Sequence, residues 1–176
     1  ILSLLRIDAA KQNITYLEPS YMPDGGASLS LSTLISDKTS VDSAIDLLLK
    51  HPKFLDNTKK AVQVSDKLIE KSNQLLSCPG HIGCEVDVRF KYIILREQPF
   101  NRVITQAVAA FMTTNSSKNI KSINIVQPED GIIALRDYKK HMALLGNLHK
   151  RFPNVNITLH AGELSPNTVS PNEISF

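Results

Sequence analysis

The sequence lacks several features that would point to common classes of protein. Its 176 residues contain no apolar run approaching the roughly 20 residues that a membrane-spanning helix needs, so we expect no membrane span. No run of Lys and Arg reaches five residues, and aromatic residues are not interleaved with the basic ones, which argues against a nucleic-acid partner. The sequence also has no Gly-rich phosphate-binding loop and no Arg cluster, which argues against a nucleotide ligand.

The composition that is present is that of a globular protein. Hydrophobic residues make up 42% of the chain and charged residues 21%, with a net charge of +3. This length is typical of a single domain with a substantial core, so residues 1–176 are treated as one domain without an internal boundary. The opening Ile1–Leu5, followed by Arg6 and Asp8, makes a poor signal peptide and suits a helix end. We expect the chain to be an internal part of a longer protein.

Strand and helix patterns alternate along the chain. Short β-rich runs at 14–18, 86–96, 120–126 and 156–159 predict strands. Apolar residues at helical spacing predict helices at 41–51, about 57–76, 99–115 and about 133–151, after a helix end within 1–13. Residues 24–40, rich in Gly and Ser, are predicted to form a surface loop or lid. The alternation indicates an α/β fold with about four parallel strands and right-handed crossover helices.

Polar side chains follow each predicted strand: Glu18, then Arg96 with Glu97, then Glu129 with Asp130, then His160 with Glu163. In α/β folds the carboxyl ends of parallel strands meet at one edge, where chemistry gathers. Ala161 and Gly162 are small and leave room for a ligand between His160 and Glu163. Glu97 and Asp130 are interpreted as solvated turn residues, because loops are polar by default.

The run Leu159-His160-Ala161-Gly162-Glu163 resembles the zinc-ligand strand of the adenosine deaminase family, within the metal-dependent hydrolase superfamily. Residues 14–18, 90–96 and 123–131 resemble, in order, that family's second, third and fourth barrel strands. From Pro128 to Leu164 the chain is most similar to the secreted, growth-factor-like branch. The resemblance implies that the chain is part of a (β/α)8 TIM barrel.

The resemblance also implies roles for individual residues. His160 corresponds to a zinc ligand, and Glu163 to the acid that protonates a purine ring nitrogen. Zinc would activate a water that replaces the exocyclic amine as ammonia. Glu163 would need a water-poor pocket that raises its pKa. Glu18 corresponds to a residue that lines the pocket near the ribose.

Two departures from the family pattern stand out. Gln127 occupies the place of a Gly whose backbone N–H meets the purine, and with Glu129 and Gly162 it is expected at the substrate. The family's His-x-His pair and its later His and Asp-Asp strands are absent from this chain. A catalytic zinc needs about three protein ligands, so the 176 residues alone are predicted to be inactive.

Cys78 and Cys84 flank a tight loop that also contains His81. A disulfide is expected if the protein is exported, whereas a structural zinc lacks a nearby fourth ligand. Two free thiols are the third alternative. An extracytoplasmic location is therefore favoured, with the cytoplasm as the alternative.

The predicted function is zinc-dependent hydrolysis of adenosine to inosine and ammonia, carried by the longer protein. The alternatives are a deaminase of another aminopurine and a non-catalytic relative that binds nucleosides or a receptor. An unrelated α/β domain with a coincidental His-Ala-Gly-Glu run is a further alternative. The expected partner is a small purine nucleoside, and a homo-oligomer is left open.

Overall fold

The computed structural model describes residues 1–36 and 38–164. The α-helices in these ranges are α1 (Leu2–Lys11), α2 (Val41–Lys50), α3 (Pro52–Leu75), α4 (Phe100–Ser116) and α5 (Ile132–Arg151). The strands are β1 (Tyr16–Leu17), β2 (Ser20–Tyr21), β3 (Asp87–Val88), β4 (Phe90–Leu95), β5 (Ile120–Val126) and β6 (Asn156–Leu159). No helix in the described ranges is both long and apolar enough to cross a membrane.

The strands form parallel sheets, which confirms the predicted mixed α/β class. The main sheet has the order β2-β4-β5-β6, and β1 pairs with β3 in a short sheet of their own. In register, Ile93 of β4 lies beside Asn124 of β5, and Asn124 lies beside Thr158 of β6. Because all of these strands run the same way, β4, β5 and β6 have their carboxyl ends at one edge of the sheet.

Two predicted strands are each divided into two pieces. The predicted run 14–18 continues past Pro19 as β2, and the predicted run 86–96 is interrupted at Arg89. Pro19 has no backbone N–H to donate, although its carbonyl still accepts a hydrogen bond from Lys91 N at 3.0 Å. The register of β4 against β5 also shifts between Phe90 and Lys91. These interruptions lie at the amino-terminal side of β4, away from the strand ends that carry the polar residues.

Alternation along the strands separates an apolar face from a polar one. The buried side chains Tyr92, Ile94, Ile123 and Ile125 belong to the core that also includes residues of α4 and α5. Ser122 and Asn124 alternate with the two isoleucines of β5 and therefore face the other way. Both polar side chains are nonetheless buried, at 2% and 3% exposure. On the face opposite the helices, the middle of β5 therefore carries two polar side chains that are shielded from solvent.

The helices largely match their predicted positions, and the main difference is the start of α3. This helix begins at Pro52, five residues before the predicted start, and only His51 separates it from α2. Proline suits the first helical position because its fixed φ is helical and its missing N–H is not needed there. His51, as the residue before a proline, is extended, with φ −77° and ψ 120°.

The prediction that residues 24–40 form a surface loop was wrong for their central part. Residues Ala27–Leu34 form a 3-10 helix, and Leu31 and Ile35 are buried against the core that contains α4. Asn101 of α4 also donates from Nδ2 to the Ser32 carbonyl oxygen at 3.2 Å. The apolar residues scattered among the serines bury one side of the segment, which composition alone did not reveal. Asp37 lies outside the described residues.

Cys78 and Cys84 form a disulfide directly after α3. His81, between them, accepts a hydrogen bond at Nδ1 from Gly83 N at 3.0 Å. The buried Arg6 of α1 donates to the Gly83 carbonyl oxygen at 2.9 Å and to Asn73 Oδ1 at 2.7 Å. In this structure the two thiols are therefore paired with each other, and Arg6 attaches α1 to both the loop and the end of α3.

Candidate functional site at the carboxyl ends of the strands

The site is built where β4, β5 and β6 end. Leu95, Val126 and Leu159 are the last residues of these three strands. Each is followed at once by a short segment that contains polar residues, at 96–97, 127–130 and 160–163. Parallel pairing brings these three segments to one edge of the sheet. The predicted meeting of polar residues at the strand ends is therefore realised for three of the four predicted strands.

Arg96 ties these three segments together. The guanidinium, 7% exposed, donates to the carbonyl oxygens of Ile125 at 3.1 Å, Val126 at 3.3 Å and His160 at 3.0 Å. Burial lowers the pKa of Arg96, while nearby glutamates, led by Glu129, act in the opposite direction. Arginine still remains charged at neutral pH. Arg96 thus fixes the backbone at the ends of β5 and β6.

His160 is held by its side chain as well as by its backbone. Its Nδ1 lies 2.8 Å from Nδ2 of Asn124, the buried residue of β5 that faces the polar side of the sheet. The residue as a whole is exposed. With Nδ1 engaged inside the protein, Nε2 is the ring nitrogen left for a ligand.

A cavity of about 410 Å³ lies at this edge, lined by residues 126–130 together with His160, Glu163 and Leu164. We call it the rim pocket. It brings together four of the residues predicted from the sequence: Gln127, Glu129, His160 and Glu163. Glu129 accepts a hydrogen bond at Oε2 from the backbone N–H of Glu163 at 3.2 Å. Glu163 is exposed, so the water-poor surroundings expected for it are not formed by the described residues alone.

Gln127 adopts the backbone conformation that a glycine would supply. Its φ is +87°, in the left-handed region that non-glycine residues rarely enter. Its side chain is held in place, because Oε1 accepts a hydrogen bond from the backbone N–H of Glu97 at 2.8 Å. Gln127 therefore combines a backbone conformation that favours glycine with a side chain that bonds to the neighbouring strand end.

Glu97 has a structural role that was missed in the sequence. Its Oε1 accepts a hydrogen bond from the backbone N–H of Ala134 at 2.5 Å, in the first turn of α5. Such N–H groups have no partner within the helix, and a carboxylate near a helix amino terminus is stabilising. The interpretation of Glu97 as a solvated turn residue was therefore wrong. Asp130, the other residue so interpreted, is exposed.

Glu18 and Gly162 lie apart from the rim pocket. Glu18 accepts a hydrogen bond at Oε1 from Ser122 Oγ at 2.8 Å. Ser122 lies two residues before Asn124 in β5 and on the same face of the sheet. Gly162, with φ +78°, lines a second cavity of about 410 Å³, between α5 and β6. Their predicted contacts with substrate stay predictions.

His141 of α5 lines the second cavity. It is 2% exposed, and its Nε2 is buried without a hydrogen-bond partner among the described residues. Burial lowers its pKa, so the imidazole is neutral at pH 7. Its ring centroid lies 5.9 Å from that of Phe100. Helical spacing does signal this burial, because His141 lies three, four and seven residues before the buried Leu144, Leu145 and Leu148 and so shares their face of the helix.

The described residues include one predicted ligand of a zinc centre. His160 has its Nδ1 2.8 Å from Asn124 Nδ2, and its Nε2 could bind a metal ion only when that nitrogen carries no proton. Within 1–36 and 38–164, no group of three His, Cys, Asp or Glu side chains is placed to hold a metal ion. A catalytic centre built on His160 would therefore need ligands from outside the described residues.

Comparisons of the chain with protein-family models, with curated proteins and with solved structures returned no match.

Proposed function

We propose that this chain is part of a zinc-dependent deaminase that hydrolyses adenosine to inosine and ammonia, and that its sheet is part of a (β/α)8 barrel. The observation that carries the proposal is the rim pocket. It collects His160, Glu163, Gln127 and Glu129 at the carboxyl ends of parallel strands, where barrel enzymes bind their substrates. The resemblance of the same residues to the adenosine deaminase family supports this choice of chemistry.

His160 serves as one zinc ligand in this proposal, through Nε2. When bound, zinc supplies Lewis-acid chemistry that makes a water nucleophilic at neutral pH. Arg96 and Asn124 hold His160 from two sides, so that its ring is oriented before a ligand arrives. Such preorganisation avoids the cost of ordering the ligand during binding.

Glu163 is the proton donor to the purine ring nitrogen. It protonates this nitrogen while water adds to the adjacent carbon and interrupts the aromatic ring, before ammonia leaves. Two observations support this role: the Glu163 backbone N–H donates to Glu129 Oε2, and Glu163 and His160 both line the rim pocket. Donation at neutral pH requires cover that excludes water from the rim pocket. In the proposed enzyme, that cover comes from residues outside the described ranges.

Gln127 presents its backbone N–H to the purine, from a turn that has the conformation of a glycine. Its side chain is engaged by Glu97 and is therefore held in a fixed position relative to the ligand. Glu18 is proposed to line the substrate pocket near the ribose, and Gly162 is proposed to contact the substrate. An aminopurine other than adenosine, such as adenine, would use the same groups.

A non-catalytic nucleoside-binding relative is the second candidate. One observation favours it: the described residues contain a single zinc-ligand candidate in the rim pocket and no complete set of three. Such a protein would bind nucleosides through Gln127 and Glu129 without turning them over.

The deciding experiment uses the intact protein isolated from its native host. Zinc content is measured by elemental analysis, and conversion of adenosine and adenine is followed by absorbance. Stoichiometric zinc with adenosine turnover supports the deaminase. In that protein, Glu163→Gln should keep the zinc and lower kcat about 10²- to 10⁴-fold, the usual contribution of a general acid.

Two results would overturn this assignment. Nucleoside binding without zinc and without turnover would establish the non-catalytic alternative. Near-normal adenosine turnover by the Glu163→Gln variant would remove Glu163 from the mechanism.

A further inference from the structure

We propose that Asn13 is the acceptor of an N-linked glycan, attached while the protein passes through an oxidising, secretory compartment. The tripeptide Asn13-Ile14-Thr15 has the Asn-x-Ser/Thr pattern that this modification requires. Asn13 lies just before β1, which pairs in parallel with β3, and β3 leads directly into β4. The proposed glycan is therefore at the amino-terminal edge of the strands, opposite the rim pocket, and it does not depend on the proposed function.

The reaction joins a sugar to the side-chain amide of Asn13. A new bond forms between Nδ2 and the anomeric carbon of a lipid-linked oligosaccharide, which the host supplies together with a membrane-bound transferase. The bond from that carbon to the lipid diphosphate breaks, and the diphosphate leaves with the electron pair. The amide nitrogen loses one proton and keeps the other. The hydroxyl of the third residue is needed for recognition by the transferase.

The tripeptide lies in an exposed turn with an anchored backbone. Every residue from the end of α1 to the start of β1 is exposed. Asn13 has a φ of +59°, in the left-handed region that asparagine enters more readily than most residues. Ile14 N donates to the Ala9 carbonyl oxygen at 2.9 Å, and Asp87 N donates to the Thr15 carbonyl oxygen at 2.9 Å. The turn therefore presents the tripeptide to solvent from a fixed backbone.

The two side chains that the reaction uses are not engaged by the rest of the fold. In the part of the chain that the structure describes, neither the Asn13 amide nor the Thr15 hydroxyl makes a side-chain hydrogen bond. N-linked glycans are bulky and belong at such surface positions. A glycan on Asn13 would therefore break no side-chain hydrogen bond between described residues.

The same tripeptide occurs again in β6, where its side chains contribute to the sheet. Asn156 donates from Nδ2 to the Lys121 carbonyl oxygen at 3.1 Å, and Thr158 donates from Oγ1 to the Ile123 carbonyl oxygen at 2.9 Å. Ile157, between them, packs against the core. A glycan at Asn156 would compete with the pairing of β6 with β5. The fold therefore favours one of two identical tripeptides as the glycan acceptor.

A third tripeptide with the pattern, Asn115-Ser116-Ser117, lies at the end of α4. Asn115 is exposed, but the Ser117 hydroxyl is engaged. Its Oγ accepts hydrogen bonds from the backbone N–H groups of Asn119 at 3.1 Å and Ile120 at 3.0 Å. The hydroxyl thus stabilises the turn into β5, and we expect this site to carry a glycan less often than the site before β1.

The disulfide between Cys78 and Cys84 supports the compartment independently of the tripeptide. Disulfides form and persist in secretory and extracellular environments, and N-linked glycans are attached to secreted proteins. The two features also lie at the same edge of the molecule. The strand β3 follows the disulfide loop, and its Asp87 N–H is the donor to the Thr15 carbonyl oxygen. One secretory compartment accounts for both.

Variants of the intact protein, made in its native host, separate the acceptor from its surroundings. Thr15→Ala and Asn13→Asp should each remove the glycan and increase mobility in a denaturing gel. Thr15→Ser keeps the hydroxyl and should keep the glycan, and Asp tolerates the left-handed φ much as Asn does. Asn156→Asp is the matched control in the identical tripeptide and should leave the mobility unchanged. A Thr15→Ala protein with native mobility would refute the assignment.

The deciding measurement is mass spectrometry of the protein isolated from its native host. Peptides are treated with peptide-N-glycosidase in ¹⁸O water, which converts a glycosylated Asn into ¹⁸O-labelled Asp, and a sample without enzyme corrects for spontaneous deamidation. We expect the label at Asn13, less of it at Asn115 and none at Asn156. An unlabelled Asn13, or equal labelling of Asn13 and Asn156, would overturn the proposal.

Discussion

Arg96 donates a hydrogen bond to the backbone oxygen of His160 at 3.0 Å, although 64 positions separate them in the sequence. The strands that they follow, β4 and β6, are not neighbours, because β5 lies between them. The guanidinium reaches across the end of β5 and bonds to two of its carbonyl oxygens on the way. One side chain thus sets the spacing of three strand ends.

Replacing Arg96 by Lys should therefore destabilise the protein. Lysine has a single ammonium group in place of the planar guanidinium and cannot reach three carbonyl oxygens at once. Buried carbonyl oxygens would therefore lose their hydrogen-bond donors. Each such loss costs about 1–3 kcal/mol in free energy of unfolding, measured by urea denaturation. Arg151→Lys is the matched control, because Arg151 makes surface ion pairs with Asp42 and Asp46. Surface ion pairs contribute about 0–1 kcal/mol to the free energy of unfolding. Equal losses of stability in the two variants would refute the role of Arg96 in joining the three strand ends.

A glycine pair tests the role of Glu97 at α5. A Cβ added at Gly131 would collide with the Glu97 side chain, whereas one added at Gly146, in the same helix, meets nothing within 4 Å. Gly131→Ala should therefore displace Glu97 and cost about 0.5–2 kcal/mol, the range for a lost helix cap. Gly146→Ala should instead stabilise by about 0.5–1 kcal/mol.

Thermal and urea unfolding of both variants would measure these effects. In a Glu97→Ala background, the Gly131→Ala change should cost much less, because the colliding side chain is gone. A double-mutant cycle that showed simple additivity would contradict the contact.

His141 should make stability depend on pH. Burial lowers its pKa from 6.5 in the folded protein. The unfolded chain therefore takes up a proton first as the pH falls. The stability from burying the neutral ring is fully present above pH 6.5, and it is lost as the pH falls through the folded-state pKa. The charged groups that act on the ring are Asp137, Arg96, Glu97 and Lys140.

The measurement is the free energy of unfolding at several pH values between about 7 and 5. His141→Leu should show a shallower decline than the native protein over this range. His149→Leu, at an exposed site on the same helix, should keep the native slope. If the free energy of unfolding of His141→Leu declined with pH as steeply as that of the native protein, His141 would have the same pKa in the folded and unfolded states.

Residues 1–176 by themselves should neither retain stoichiometric zinc nor convert adenosine to inosine. The reason is that the described residues offer His160 without a set of three ligands. The chain would be expressed alone, dialysed against a weak chelator and analysed for bound zinc and for inosine. Tight zinc binding with steady turnover would place the metal site elsewhere than proposed.

The sequence predicted regular elements well where periodicity was strong. The helices α4 and α5 and the strand β5 lie within one residue of their predicted bounds. The burial of Leu31 and Ile35 was missed, because serines around them mask the apolar spacing. Composition describes the average polarity of a segment, whereas burial depends on which side of it meets the core.

The candidate site was predicted only in part, because its contacts join residues distant in sequence. The order of strand ends indicated that Glu129, His160 and Glu163 would meet, and they do line one pocket. Nothing local to Arg96 or Asn124 shows that both hold His160, since those contacts depend on the strand order β4-β5-β6. Pairwise geometry of this kind becomes visible only once the sheet is assembled.

The carboxylates around Arg96 have a consequence for the charge of any ligand. Glu129, Glu163 and Glu97 all act electrostatically on this one guanidinium. Among the residues named at this edge, negative charges therefore outnumber positive ones, and Arg96 is already bound to carbonyl oxygens. A phosphate group would enter a field of its own sign without a free cation to receive it. By charge alone, we expect a ligand at this edge to be neutral rather than a nucleotide.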